Sequence, residues 1–446
     1  MTFSIDFSDA NLRWVLLGSM LLGIAAATLG SFAFLRGRSL MGDALAHAAL
    51  PGVCCAFLVA EAGRSLGWFD IGSKSLPLLL LGAGLSGVIA AWCIAAVARH
   101  SRIKEDTAQA IILSVFFGAG VVLLTRIQHS GAGNQSGLDK FLFGQAASMV
   151  GSDLITMSGV AAILCALTFA FYKELKLLCF DADFGRGLGF PMARLDGFLL
   201  AMIVASVVIG LQAVGVVLIS AMLIIPPAAA RFWTEKLHRM VPLAALLGGL
   251  SGALGALFSA LAPRMPTGPL IVLAATAFFV FSLLFAPRRG VLARLWLLLS
   301  TRALVRRENA LRDVFEATEA SLSPHSDGNK TAVEAFPGIS EDELLIGRRS
   351  DAATLRATLS QLQKKGLLQM QTGRWRLTEA GLRAAYEIVR RHRLWKMFLM
   401  YETSLGAQTV DRDADAVEHF LTPAAVSQLE LLLREHDLEP RLKPIS

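Results

Sequence analysis

Nine apolar runs of 15–23 residues follow one another between residues 13 and 287, separated by short polar breaks. A bilayer's hydrocarbon core is crossed by about 20 residues of helix. Within that core each backbone amide must find its partner inside the chain. This pattern restricts the first two thirds of the sequence to an all-α polytopic membrane bundle. The runs are 13–34, 40–60, 76–98, 107–125, 153–172, 196–210, 213–229, 241–262 and 268–287. The sixth and seventh are short and meet at "GLQAVG", so a bent pair with a tight turn is expected there, giving eight or nine spans. With 54% apolar and 17% charged residues, an ordinary soluble enzyme is excluded.

Charge sets the expected topology. Lys and Arg in the connections after runs one, three, five, seven and nine number 14, against 6 on the other side. Basic loops stay in the cytoplasm. The chain is therefore expected in the cell (inner) membrane, multi-pass, with its N-terminus outside and everything after residue 290 in the cytoplasm. The opening "MTFSIDFSDANLRW" carries no basic n-region, so the first run should remain as an anchor. The five cysteines show no zinc-ligand spacing and read as reduced thiols packed among helices.

The remaining third differs. From residue 301 onward 21 basic residues balance 21 acidic ones. Residues 290–320 read as one charged helix and 321–338 as a Ser/Pro/Gly loop. A short helix, a turn at "GRRS" and a second helix from Ser350 or Asp351 follow, the latter with Leu355, Leu359 and Leu362 at helical spacing. "LLQMQTGRWRLT" alternates like a hairpin with Gly373 at its turn, and Thr378 caps a third helix to about Met400. That order predicts a winged helix-turn-helix.

Two groups of residues carry chemistry. In "SLMGDALAHAALPG", Asp43 and His47 stand four apart and share a helix face. An ionisable side chain mid-span costs about 2.5–3.5 kcal/mol on insertion scales, so the pair needs a reason. It serves as polar glue between helices or as a transient ligand pair for a divalent cation. Carboxylate with imidazole suits manganese, iron or zinc, and binding must be moderate if the ion is to leave. Gly215, Pro226 and Pro227 would let helices bend or pack closely, and Gly144 with Gln145 would do similar packing work.

The pair lies within "FLRGRSLMGDALAHAALPG", which is followed in order by "RIKEDTAQAIILSVFFG", "GLDKFLFGQAASM", "FDADFGRGLGFP" and "QAVGVVLISAMLIIPPAAAR". Together these resemble the integral-membrane subunit of ABC importers for manganese, zinc or iron. The resemblance implies a permease that pairs with a second copy or a related permease, takes metal from an extracytoplasmic binding protein and is driven by a separate ATPase subunit. The chain contains no G-x-x-x-x-G-K-[ST] phosphate loop, so it holds no ATP site of its own and is not expected to be an enzyme. Phe180, Phe184 and Leu188 are four apart and predict a short helix with an apolar edge. The resemblance assigns Phe180, Asp181, Phe184, Arg186 and Gly189 to ATPase coupling; the alternative is an ordinary interfacial helix.

In the tail, Asp411, Asp415, Glu418 and His419 fall on one helical stripe of "DRDADAVEHFLTPAAVSQLE", a carboxylate-rich set leaning toward manganese or iron. The alternative is a solvated acidic helix end. With "AAYEIVRRHRLWKMFL" and the winged helix, this stretch resembles metal-dependent repressors of the diphtheria-toxin-repressor type. The resemblance adds His392 as a ligand, but Lys396 stands where a ligand glutamate is usual and Asn309 aligns with the upstream ligand. It implies domains at 1–290 (permease), 291–338 (helical linker and loop), 339–380 (winged helix) and 381–446 (metal binding and dimerisation). Arg348, Arg349, Arg356, Arg374 and Arg376 form a basic stretch, whereas residues 402–437 hold eight acids against two arginines. The basic stretch suits DNA, or anionic headgroups or water. The sequence therefore predicts a metal permease whose tail senses the imported ion. Its alternatives are a membrane-anchored transcription regulator and a tail that acts only as a dimerisation scaffold.

Overall fold

Helix occupies most of each of the nine apolar runs in the computed structural model, which describes residues 10–38, 40–66, 76–129, 151–261, 265–320, 338–346, 351–403 and 423–435. The chain separates into two units, 1–294 and 295–446. In the first, α1 (Ala10–Leu35), α2 (Met41–Ser65), α3 (Leu76–His100) and α4 (Glu105–His129) are followed by α5 (Gly151–Ala170) and α6 (Tyr172–Phe180). Then come α7 (Ala182–Gly187), α8 (Met192–Val214), α9 (Val216–Trp233), α10 (Leu237–Ala260) and α11 (Thr267–Phe285). Among the described residues, seven helices are long and apolar enough to cross a membrane, or eight if α5 and α6, bent by 67°, form one broken span. α9 is apolar but shorter. The turn expected at "GLQAVG" is a single residue, Gly215, whose φ of +86° is open to glycine at little cost.

Small residues bring the helices together. A methyl group on Gly23 or Gly248 would overlap the other's carbonyl, which welds α1 to α10; Gly52 and Gly82 do the same for α2 and α3. Around these contacts Phe32, Leu45, Ile94, Leu199, Leu211 and Ile219 are fully buried in one core.

In the second unit, α12 (Val291–Ala320) continues from the boundary and is followed by α13 (Glu341–Ile346), α14 (Ala352–Lys364), β1 (Leu368–Gln371), β2 (Arg374–Leu377), α15 (Glu379–Thr403) and α16 (Pro423–Glu435). The two strands pair antiparallel, Leu368 opposite Leu377 and Gln371 opposite Arg374. Thr372 and Gly373 turn between them with φ of +50° and +75°, the geometry that tight hairpins need. Ile339 adds a bridge to Trp375. Leu311, Val314 and Phe315 of α12 pack with Leu355, Leu359, Trp375, Leu382 and Val389 in a separate core. Thr378 caps α15 as expected, its hydroxyl accepting from Gly381 N–H at 3.0 Å. Helix, helix, wing and long helix follow in the order read from the sequence.

Candidate functional site

Alanines make room for the pair on α2. Ala44, Ala46, Ala48 and Ala49 are essentially buried, so α2 sits deep in the bundle while Asp43 and His47 keep 35% and 20% side-chain exposure. His47 Nε2 lies 3.5 Å from Asp43 Oδ1, one turn apart. The ring of Phe117 on α4 meets the imidazole edge to face, centroids 4.9 Å apart. His47 Nδ1 is buried and has no hydrogen-bond partner among the described residues. The chemistry available is one carboxylate and one imidazole on a shared face, with the ring steadied by an aromatic neighbour. Two such ligands leave most of a cation's coordination shell to water or to other groups, which suits passage better than storage.

The segment 180–191 is not the single helix with one apolar edge that was expected: the chain leaves helical geometry at Asp181, so Phe180 ends α6, Phe184 lies on α7 and Leu188 follows it. Asp181 ends α6 and caps α7, accepting from Phe184 N–H at 2.8 Å. Phe180, Phe184 and Leu188 are each more than half exposed, and Phe190 lies beside them. Arg186 pairs with Asp183 within α7, and Gly189, φ +85°, turns the chain toward α8. The arginines of "RGR", read from the sequence only as topology markers, are ion-paired to other helices. Their closeness to Asp43 in the chain was the available signal.

In the tail, Arg356 pairs with Glu341 at 2.7 Å, and that carboxylate pushes the guanidinium pKa further up. Arg374 donates to Gly338 O at 3.0 Å and lies 3.8 Å from Glu343, while Arg376 donates to Gln371 Oε1 at 3.4 Å. The basic stretch is thus partly neutralised by the acidic first turn of α13, which a count starting at residue 348 leaves out. Arg348 and Arg349 lie outside the described residues, as do Gly144 and Gln145.

His392 is buried on α15, and Arg312 of α12 donates to its Nδ1 at 3.1 Å. A guanidinium has no acceptor, so Nδ1 is the acceptor and is closed to a metal while Arg312 holds it. Arg391–Glu308 at 3.6 Å and Arg393–Glu319 at 2.5 Å join the same two helices. Asn309 Oδ1, on α12, is buried and has no hydrogen-bond partner among the described residues. In this arrangement the Nδ1 of His392 is engaged by Arg312. Asp411, Asp415, Glu418 and His419 lie outside the described residues, and among the described residues no group of three or more His, Cys, Asp or Glu could hold an ion.

Known proteins resemble this chain along nearly its whole length in one case and over about two thirds of it in another. A manganese transport system membrane protein, MntC, of Bacillus subtilis is 43% identical over 409 residues, covering 92% of this chain and 88% of its own length. The zinc transport system membrane protein TroC of Treponema pallidum is 44% identical over 290 residues, covering 65% of this chain and 94% of its own length. A solved structure of PsaBC from Streptococcus pneumoniae in complex with Fab matches with a TM-score of 0.53 and 32% identity, over 63% of this chain and 94% of that one. Residues 378–446 match the iron-dependent repressor metal-binding and dimerisation domain. With residues 8–286 matching its family model, the chain belongs to the ABC 3 transport family and is a multi-pass membrane permease.

Proposed function

We propose that this chain is the permease of an importer that brings a divalent transition metal into the cytoplasm, manganese first, with zinc or iron as neighbours in the same class. The observation that carries this is the Asp43–His47 pair, held one turn apart on a helix otherwise packed with alanine. The names of the relatives support the cargo: one is called a manganese protein and another a zinc protein. In this reading the N-terminus is outside, and an extracytoplasmic binding protein delivers the ion to a paired permease. A separate ATPase docks on Phe180, Asp181, Phe184, Arg186 and Gly189, where the two phenylalanines are exposed among the described residues. The ion then meets the Asp43 carboxylate and His47 imidazole as replaceable ligands.

The tail reads cytosolic metal. Asp411, Asp415, Glu418 and His419 would hold the ion, and His392 joins them only once Arg312 has left its Nδ1. A second reading, a membrane-anchored regulator, is favoured by the exposed wing guanidinium of Arg374, which could reach a phosphate backbone. Uptake of radiolabelled manganese by proteoliposomes holding permease, ATPase and binding protein tests the first reading. Alanine at both Asp43 and His47 should lower uptake by about tenfold or more, the scale of losing metal contacts. Undiminished uptake by that double variant would reject the permeation role.

A further inference from the structure

The turn between α1 and α2 is built for more than topology. Residues 36–38 close α1 with a glycine-centred cap: Gly37 N–H donates to Phe34 O at 3.1 Å, Arg38 N–H donates to Ala33 O at 2.9 Å, and Gly37 has φ +75°. The cap sends Arg36 and Arg38 toward three other helices. Arg36 Nη1 donates to Leu178 O, in the last turn of α6, at 3.1 Å, and its Nε lies 3.5 Å from Asp196 Oδ1, near the start of α8. Arg38 Nη1 donates to the same Asp196 Oδ1 at 2.8 Å, and its Nε lies 2.5 Å from Glu105 Oε1 at the first residue of α4.

Leu178 and Asp196 stand on either side of the exposed segment 180–191. The two arginines therefore grip that segment at both of its ends. On the other side of the turn, Met41 N–H donates to Arg38 O at 3.1 Å, so the Arg38 backbone leads directly into α2, five residues ahead of Asp43. The side chains of Arg38 and Asp196 are only 11% and 14% exposed. A charged pair so far removed from water is strongly directional. Losing Arg38 would leave Asp196 only the longer contact to Arg36, and losing Asp196 would leave Arg38 only Glu105 on α4. It adds a directional ionic contact among α1, α4, α6 and α8 to the apolar and small-residue packing of the bundle.

We propose that Arg36 and Arg38, gripping Leu178, Asp196 and Glu105, form an ionic joint that passes movement of the segment 180–191 to α2 and hence to the Asp43–His47 pair. The proposal rests on the reading above, that this segment docks an ATPase and that α2 carries the ion. The arginines are positioning residues, because neither side chain is itself a metal ligand. Closure of the ATPase would displace α7 and the start of α8. Asp196 moves with α8, Arg38 follows Asp196, and α2 turns or tilts with Arg38. Glu105 ties α4, which carries Phe117 against His47, to the same movement.

The test uses the full complex of permease, ATPase and binding protein in proteoliposomes, with manganese as the ion. Arg38→Gln, Asp196→Asn, Glu105→Gln and Arg38→Lys are compared with the unaltered chain. Two quantities are read: ATP hydrolysed, and manganese carried per ATP. Arg38→Gln and Asp196→Asn should still co-purify with the ATPase and hydrolyse ATP, while manganese per ATP falls about fivefold or more, the usual scale of a coupling free energy between sites. Glu105→Gln, which removes only the α4 arm, should fall less, and Arg38→Lys, which keeps the charge, should recover part of the loss. An unchanged ratio in Arg38→Gln and Asp196→Asn overturns the joint. Loss of the ATPase from both variants also overturns it, because the contacts would then merely fold the docking segment. If Arg38→Gln does not assemble, Asp196→Asn and Arg38→Lys decide by the same ratio. Failure of the unaltered complex to carry manganese would overturn the permease reading instead.

Discussion

Glu343 holds the start of α13 through two reciprocal contacts. Its carboxylate accepts from Ser340 N–H at 2.9 Å, and its own N–H donates to the Ser340 hydroxyl at 3.3 Å, a capping box. The hydrogen bonds from Ser340, with a smaller part from Arg374, hold the Glu343 carboxyl below the usual glutamate value of 4.5. A depressed pKa contributes stability that is present above the unfolded value and is lost as pH falls through the folded one. Amide protection of residues 341–346 should therefore weaken as pH drops below 4.5, and Glu343→Gln should remove most of that dependence, as hydrogen exchange on the full chain in detergent can check. The S-x-x-E pattern makes such a contact legible in the sequence, because partners three residues apart are bound to meet at a helix start. Asp43 and His47 are legible for the same reason. The Phe117 ring against His47 is not, since nothing local in either helix says which face of α4 turns toward α2.

At the scale of elements, α7 joins a local rule to an unsatisfied surface. Spacing of four predicted one edge for Phe180, Phe184 and Leu188; the helix breaks at Asp181 between the first two, yet all three side chains are exposed. Phe184→Glu places a charge among those exposed apolar side chains. It should abolish co-purification of the ATPase while leaving the helical content of the permease unchanged by circular dichroism. The 67° bend between α5 and α6 was not legible. The apolar run ends near it and "KELKLL" continues with good helix formers, so propensity alone would carry the helix straight on. The bend is decided by packing: Leu175 and Leu178 are buried against the bundle, and an unbent α6 would lose that burial.

For the molecule as a whole, two cores built on different rules occupy one chain. Glycine and alanine contacts organise the membrane unit, whereas the second unit is closed by leucine, tryptophan and salt links between α12 and α15. The Arg312–His392 contact predicts how that second unit meets metal. Calorimetric titration of the full-length protein with manganese, in the Asp43→Ala/His47→Ala background, should show His419→Ala weakening the remaining site by about tenfold or more. His392→Ala should change it far less, because the imidazole is already engaged. Equal losses from the two would mean that Arg312 yields to the ion.

By itself the sequence determined the membrane class, the order of spans, the winged helix and the positions of the Asp43–His47 pair. These follow from hydropathy summed over about 20 residues and from partners no more than a turn or two apart. Only the tertiary structure decided that Arg38 meets Asp196 across 158 positions and that Arg312 reaches His392 across 80. Those contacts depend on how each helix is rotated and bent against its neighbours. That rotation is set by the summed packing of many weak apolar contacts, which no single stretch of sequence records.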